Sequence, residues 1–157
     1  MPRHEYKKRI IKPDPLYHSY EVAKLINYLT INGKKSIASK IVYKALNQLA
    51  KEPEKALDVL NQAINNVAPN FEVKPRRLGG ASYLVPIEVR KERKIYLSLN
   101  WIIEAAKARP NKEFRSFEEK LLAEIKDASQ NQGQAVAKKL QTEKLAEANK
   151  AFAHLKW

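Results

Sequence analysis

The chain contains no cysteine, one methionine, four glycines and three aspartates in 157 residues. Without a thiol there is no disulfide, no thiolate nucleophile and none of the usual structural zinc sites. No stretch approaches the roughly 18 apolar residues of a membrane-spanning helix, and the N-terminus lacks the apolar core of a signal peptide. A soluble intracellular protein with no membrane partner is expected. Groupings for catalysis are missing as well: His4, His18 and His154 lie far apart in sequence, and Glu118 and Glu119 read as helix-start charges rather than a catalytic pair. Neither enzymatic activity nor a cofactor is expected.

Negative charge is also in short supply. Thirty Lys and Arg face 17 Asp and Glu, a net charge of +13. Such an excess repels itself in a compact state and implies an anionic partner. The 44% hydrophobic content suits one continuous core, so the chain reads as one folded body with arms.

In residues 1–12, Arg3, Lys7, Lys8, Arg9 and Lys12 outnumber Glu5, and apolar periodicity is almost absent. This segment reads as a flexible basic arm. Pro13, Asp14 and Pro15 force extended backbone and mark the junction with a single helical domain over residues 13–157.

Helical spacing recurs five times, and a sixth segment is helix-prone through its Ala, Lys, Glu and Leu content. Ser19 is an N-cap for a first helix with Val22, Leu25, Ile26 and Leu29 on one face, ended by Asn32 and Gly33. A second helix from near Lys35 carries Ile37, Ile41, Ala45 and Leu49 as its stripe, with Val42 and Leu46 alongside. Pro53 opens a third as its first residue, with Leu57, Leu60, Ile64 and Val67 buried. Ile95, Leu99, Ile102, Ile103 and Ala106 mark a fourth, in which Trp101 is a partly buried packing residue. Ser116 and Glu119 form a capping box before a fifth with Phe117, Leu121, Leu122, Ile125 and Ala128 inward. The sixth, from Ala135 to about Phe152 after a break at Gly133, has a thin stripe of Val136, Leu140, Ala148 and Phe152.

Between residues 71 and 90 the period changes to alternation, with Gly79 and Gly80 as the turn. Pro75 and Pro86 cannot donate to a ladder, so the strands are expected as a free two-stranded ribbon. Lys74, Arg76, Arg77, Arg90, Lys91, Arg93 and Lys94 cluster on and just beyond it. A projecting hairpin with this charge points to nucleic acid, and alternation is expected to send its cations and its apolar residues to different environments. Lys34 and Lys35 stand at a helix start, suited to a backbone phosphate or to plain solvation. They are not a nucleotide loop, because Tyr28 occupies the position of that motif's first glycine. Trp157 is either a docking anchor or an RNA contact. Composition alone leaves an architectural DNA-binding protein with a basic β-arm open beside an RNA binder.

Four strings carry a family resemblance: PDP at residues 13–15, NGKKS at 32–36, EVKPRRLGGASYLVPIEVR at 72–90 and AEANKAFAHLKW at 146–157. Over nearly its whole length the chain resembles small-subunit ribosomal protein seven, bacterial type. The resemblance implies a mainly α fold, a six-helix bundle with a protruding two-stranded β-ribbon and a basic N-terminal arm. It implies a structural constituent of the small ribosomal subunit, bound first to the 3′ major domain of small-subunit ribosomal RNA and nucleating the head. The implied location is the cytoplasmic ribosome, at the subunit interface near the exit-site tRNA and upstream mRNA, beside small-subunit proteins nine and eleven. A monomer is expected when the protein is free. Carried over by position, the RNA contacts are Arg3, Lys7, Lys8, Arg9, Lys34, Lys35, Lys74, Arg76 and Arg77. Pro75, Asn100 and Leu140 depart from the family pattern and receive no contact by analogy.

Overall fold

A computed structural model describes residues 11–50 and 52–155. The chain begins its folded body with a turn built on Asp14. Its carboxylate accepts from the amides of Leu16 and Tyr17, both at 3.0 Å, and from the Tyr43 hydroxyl at 2.7 Å. The turn itself lies at residues 15–17, where a short carboxylate among turn residues folds the chain back on itself, and Asp14 is buried.

Six α-helices follow in the order α1 (Tyr20–Leu29), α2 (Lys35–Leu49), α3 (Pro53–Val67), α4 (Lys91–Ala108), α5 (Phe117–Ser129) and α6 (Gln134–Ala148), with a 3-10 segment over Lys150–Leu155. Local chemistry sets the starts. Ser19 Oγ accepts from Val22 N, Ser116 Oγ from Glu119 N, and Pro53 occupies the first turn of α3. The Glu119 carboxylate returns its bond to Arg115 N rather than to Ser116 N. Helix α1 stops at Leu29, capped by Thr30, and Asn32 and Gly33 with positive φ make the turn into α2.

The core gathers Val22, Leu25, Ile26, Val42, Leu46, Leu60, Val67, Leu99, Ile102, Leu121 and Ile125. Each fully buried side chain of this size stabilises by roughly 1.5–3 kcal/mol. Helix α5 sits centrally, against α2, α3, α4 and α6. Trp101 is buried in this core, as its helical neighbours predict. The buried face of α2 differs from the expected one: it is Ala38, Val42, Ala45 and Leu46, while Ile37 is 53% exposed. Small residues make up half of that buried face, and the larger Ile37 points to solvent. In α6 the buried residues are Ala135, Val136 and Ala146, whereas Leu140 and Ala148 face solvent. The helix ends at Ala148, short of the expected Phe152, and tightens into the 3-10 segment.

Strands β1 (Phe71–Leu78) and β2 (Ala81–Glu88) form one antiparallel sheet of two strands. Gly79 and Gly80 both have positive φ, +55° and +90°, in the two-residue turn between them. A side chain at either position would meet nothing within 4 Å, so backbone conformation and not space requires glycine. The ribbon is not free along its length, because β1 packs on α6 and β2 on the 3-10 segment. The Tyr83 and Phe152 rings lie 5.2 Å apart there.

Candidate nucleic-acid interface

The base of the ribbon is fixed by main-chain and side-chain bonds to two helices. Val89 N donates to Asn70 O at 3.0 Å, Lys94 Nζ to Asn70 Oδ1 at 2.8 Å, and Asn70 N to Glu143 Oε1 at 2.9 Å. Glu72 joins the ribbon to α4: its carboxylate accepts from Arg93 Nε at 3.2 Å and lies 3.5 Å from Lys74 Nζ. These bonds aim the ribbon, so its cations hold a set direction relative to the bundle. From Arg77 to Ser82, every residue of the tip is exposed.

Strand register decides which cations share a face. Lys74 stands opposite Val85 and Arg76 opposite Tyr83, whereas Arg77 pairs with Ser82. Directly opposed residues project to the same side of a sheet. Lys74 and Arg76 therefore share a face with Tyr83 and the fully buried Val85, and Arg77 lies on the other. This corrects the expectation that alternation separates cations from apolar residues. The alternation within each strand is as expected; the pairing between strands superposes the basic set of β1 on the apolar set of β2.

On that face, between the ribbon and the start of α4, lies a cleft of about 870 Å³ lined by Glu72, Lys74, Arg76, Ile87, Glu88, Arg90 and Arg93. Four cations against two carboxylates leave the cleft net positive, and Glu72 already spans two of the cations. Arg90 is exposed where the chain passes from ribbon to α4. A groove that is partly apolar and cationic has the chemistry of a surface for a sugar-phosphate backbone.

Lys34 and Lys35 lie elsewhere. Lys34 is the N-cap of α2 and makes no capping bond with its side chain; both lysines are exposed. Lys34 borders a mainly apolar hollow of about 250 Å³ with Leu29, Ile31, Ile37, Ala38, Ile41, Lys107 and Phe117. The hollow and the cleft have no residue in common.

Comparison with known proteins decides the family. The model of the family described as ribosomal protein S7p/S5e matches residues 1–150. A protein of Caldicellulosiruptor bescii named small ribosomal subunit protein uS7 is 53% identical over 152 residues, with 96% of each chain covered. Its namesake from Thermosipho melanesiensis is 51% identical over 158 residues and the full length of both chains. The chain belongs to this family. As an S7p/S5e protein it is a structural component of the small ribosomal subunit and not an enzyme.

For this member of the S7p/S5e family, the structure brings Lys74 and Arg76 into the cleft and places Arg77 across the ribbon from them. Arg3, Lys7, Lys8, Arg9 and Trp157 lie outside the described residues. Sequence reasoning missed Glu72 as the tie between ribbon and α4, and Lys107 beside Lys34. Glu72 was legible only as one acid among many cations; its 21-residue separation from Arg93 carries no local signal. No helix among the described residues is long and apolar enough to cross a membrane.

Proposed function

We propose that the chain binds the 3′ major domain of small-subunit ribosomal RNA in the cytoplasm and nucleates assembly of the subunit head. The observation that carries this is the cleft lined by Lys74, Arg76, Arg90 and Arg93 beside an exposed ribbon tip, in a chain of net charge +13. Phosphate neutralisation supplies affinity; RNA shape and unpaired bases supply specificity, as for folded RNA generally. The contacts assigned are Lys74, Arg76 and Arg77 of the ribbon, Lys34 and Lys35 at the start of α2, and Arg3, Lys7, Lys8 and Arg9 near the N-terminus. Residues 13–157 then act as one body, monomeric when free. The fitting location is the subunit interface near the exit-site tRNA and upstream mRNA, beside small-subunit proteins nine and eleven.

Competition tests the reading against an architectural DNA-binding role. A 3′ major-domain RNA fragment should displace a labelled copy of itself at concentrations where duplex DNA of equal charge does not. Equal displacement by both would reject the ribosomal RNA assignment.

A further inference from the structure

Tyr20, Lys24 and Tyr28 follow one another at i, i+4 and i+8 in α1, so they stand in one row with about 6 Å of rise per step. Lys24 Nζ lies 5.3 Å from the Tyr20 ring centroid and 5.7 Å from that of Tyr28, and it donates to the Tyr28 hydroxyl at 3.5 Å. Across the α1–α4 contact Tyr28 meets Tyr96 edge to face, with ring centroids 5.3 Å apart at 88°. Arg93, one turn earlier in α4, places its guanidinium carbon 5.0 Å from the Tyr96 ring. The order across the surface is thus ring, cation, ring, ring, cation.

Core packing accounts for Tyr28, which lies against the core, but not for the rest of the row. Tyr20 is 37% and Tyr96 36% exposed, and Arg93 and Lys24 also reach solvent. Lys24 places its ammonium between the two rings, 5.3 Å from one centroid and 5.7 Å from the other. Arg93 belongs to both this row and the cationic cleft, which makes the two surfaces continuous. An acidic protein segment would use the cations and gain nothing from the ring faces. Single-stranded RNA uses both, because every unpaired base has a face to stack and a phosphate beside it.

We infer that Tyr20, Lys24, Tyr28, Tyr96 and Arg93 form a stacking track for unpaired RNA bases that runs into the ribbon cleft. Tyr20 and Tyr96 offer the stacking faces, Tyr28 props Tyr96, and Lys24 and Arg93 meet the flanking phosphates. This rests on the RNA-binding reading above and adds to it a place for the unpaired bases and the side chains that stack on them.

The test uses the full-length protein, a short oligoadenylate and an abasic phosphodiester oligomer of equal length. Replacing both rings, Tyr20→Leu with Tyr96→Leu, should weaken oligoadenylate binding by roughly tenfold or more and leave the abasic oligomer unaffected, while the melting temperature falls only by what the lost Tyr28–Tyr96 ring contact contributes. Tyr20→Phe with Tyr96→Phe should retain the affinity. The track is overturned if the leucine variant binds oligoadenylate like the wild type, if it loses as much on the abasic oligomer, or if the phenylalanine variant loses as much as the leucine one. A polyglutamate peptide showing the same dependence on the rings would also overturn it, in favour of an acidic protein partner. Binding of the wild type to a 3′ major-domain fragment, measured in parallel, separates the two levels. Failure there removes the RNA reading and the track together; success there with failure on oligoadenylate removes the track alone.

Discussion

Glu124, with no exposed surface, accepts two hydrogen bonds from Arg109, from Nε at 2.9 Å and from Nη2 at 2.6 Å. The same guanidinium also bonds Asp127, and the other Glu124 oxygen accepts from Ala135 N at 3.1 Å, at the start of α6. One buried carboxylate thereby holds the end of α4, the middle of α5 and the beginning of α6 together. Removing one partner from a buried pair leaves the other charge uncompensated. Arg109→Met should therefore lower unfolding stability by about 3–5 kcal/mol in chemical denaturation, a loss far greater than for an exposed pair such as Lys55 with Glu52.

Gly133 lies against that pair. A Cβ there would stand 2.9 Å from Glu124 Oε1 and 3.2 Å from Asp127 Cβ, and its φ of +93° is unfavourable for any L side chain. Gly133→Ala should cost about 1–3 kcal/mol, read by the same denaturation curves. Gly79→Ala meets only the conformational penalty and should be milder.

Asp14 and Tyr43 give a second coupled pair. Burial first, then the hydrogen bond and charge of Asp14, push the Tyr43 pKa up to about 12. The folded state thus keeps its proton in the range where an unfolded tyrosine, near 10, loses it. This contribution to stability is present below pH 10 and is lost as pH rises through about 12. A tyrosinate absorbance titration should show Tyr43 ionising last or nearly so, and Asp14→Asn should bring that phase toward 10.

Much of this architecture is legible because its causes are local. Ser19, Ser116, Pro53 and the Gly79–Gly80 turn act within a few residues of themselves, and the 3.6-residue period finds α1 to α5, while α6 is legible in its Ala, Lys, Glu and Leu content. What escaped needs contacts between distant residues. The inward face of α2 is set by the packing of α1, α3 and α5 on it, and Asp14 is recognised by Tyr43 from 29 residues away. The cation-apolar superposition on the ribbon depends on register, which pattern within one strand does not contain. At the candidate site, the clustering of basic residues was legible while the division between cleft, far ribbon face and α2 start was not. The row of Tyr20, Lys24 and Tyr28 has a visible four-residue spacing, but its continuation through Tyr96 and Arg93 exists only in three dimensions.

The ribbon register predicts different outcomes for two neighbouring arginines. Arg77 is exposed and opposite Ser82, so Arg77→Ala should weaken RNA binding and leave thermal unfolding unchanged. Arg76 is half-buried on the Tyr83 and Val85 face, and Arg76→Ala should lower both, since long basic side chains also pack through their stems. Val85→Ala should cost about 2 kcal/mol of stability. Equal melting temperatures for the two arginine variants would contradict the assignment of faces.

Helix α6 buries only Ala135, Val136 and Ala146, and much of its attachment is polar: Lys139 to Asn66 O at 2.9 Å, Lys138 to Glu104, and Glu143 to Asn70 N. Most helical stability in proteins comes from apolar packing. Hydrogen exchange in the free protein should be faster for amides of α6 than for those of α1, and slower once RNA is bound. Equal protection of the two helices would show that α6 opens only with the whole core.

The salt dependence of binding to a 3′ major-domain RNA fragment tests the central claim most directly. If roughly six phosphates are neutralised, log affinity against log salt should fall with a slope of about −4 for single strands, and more steeply for duplex regions. A slope near zero would contradict phosphate recognition by this +13 chain and with it the proposed role of the cleft.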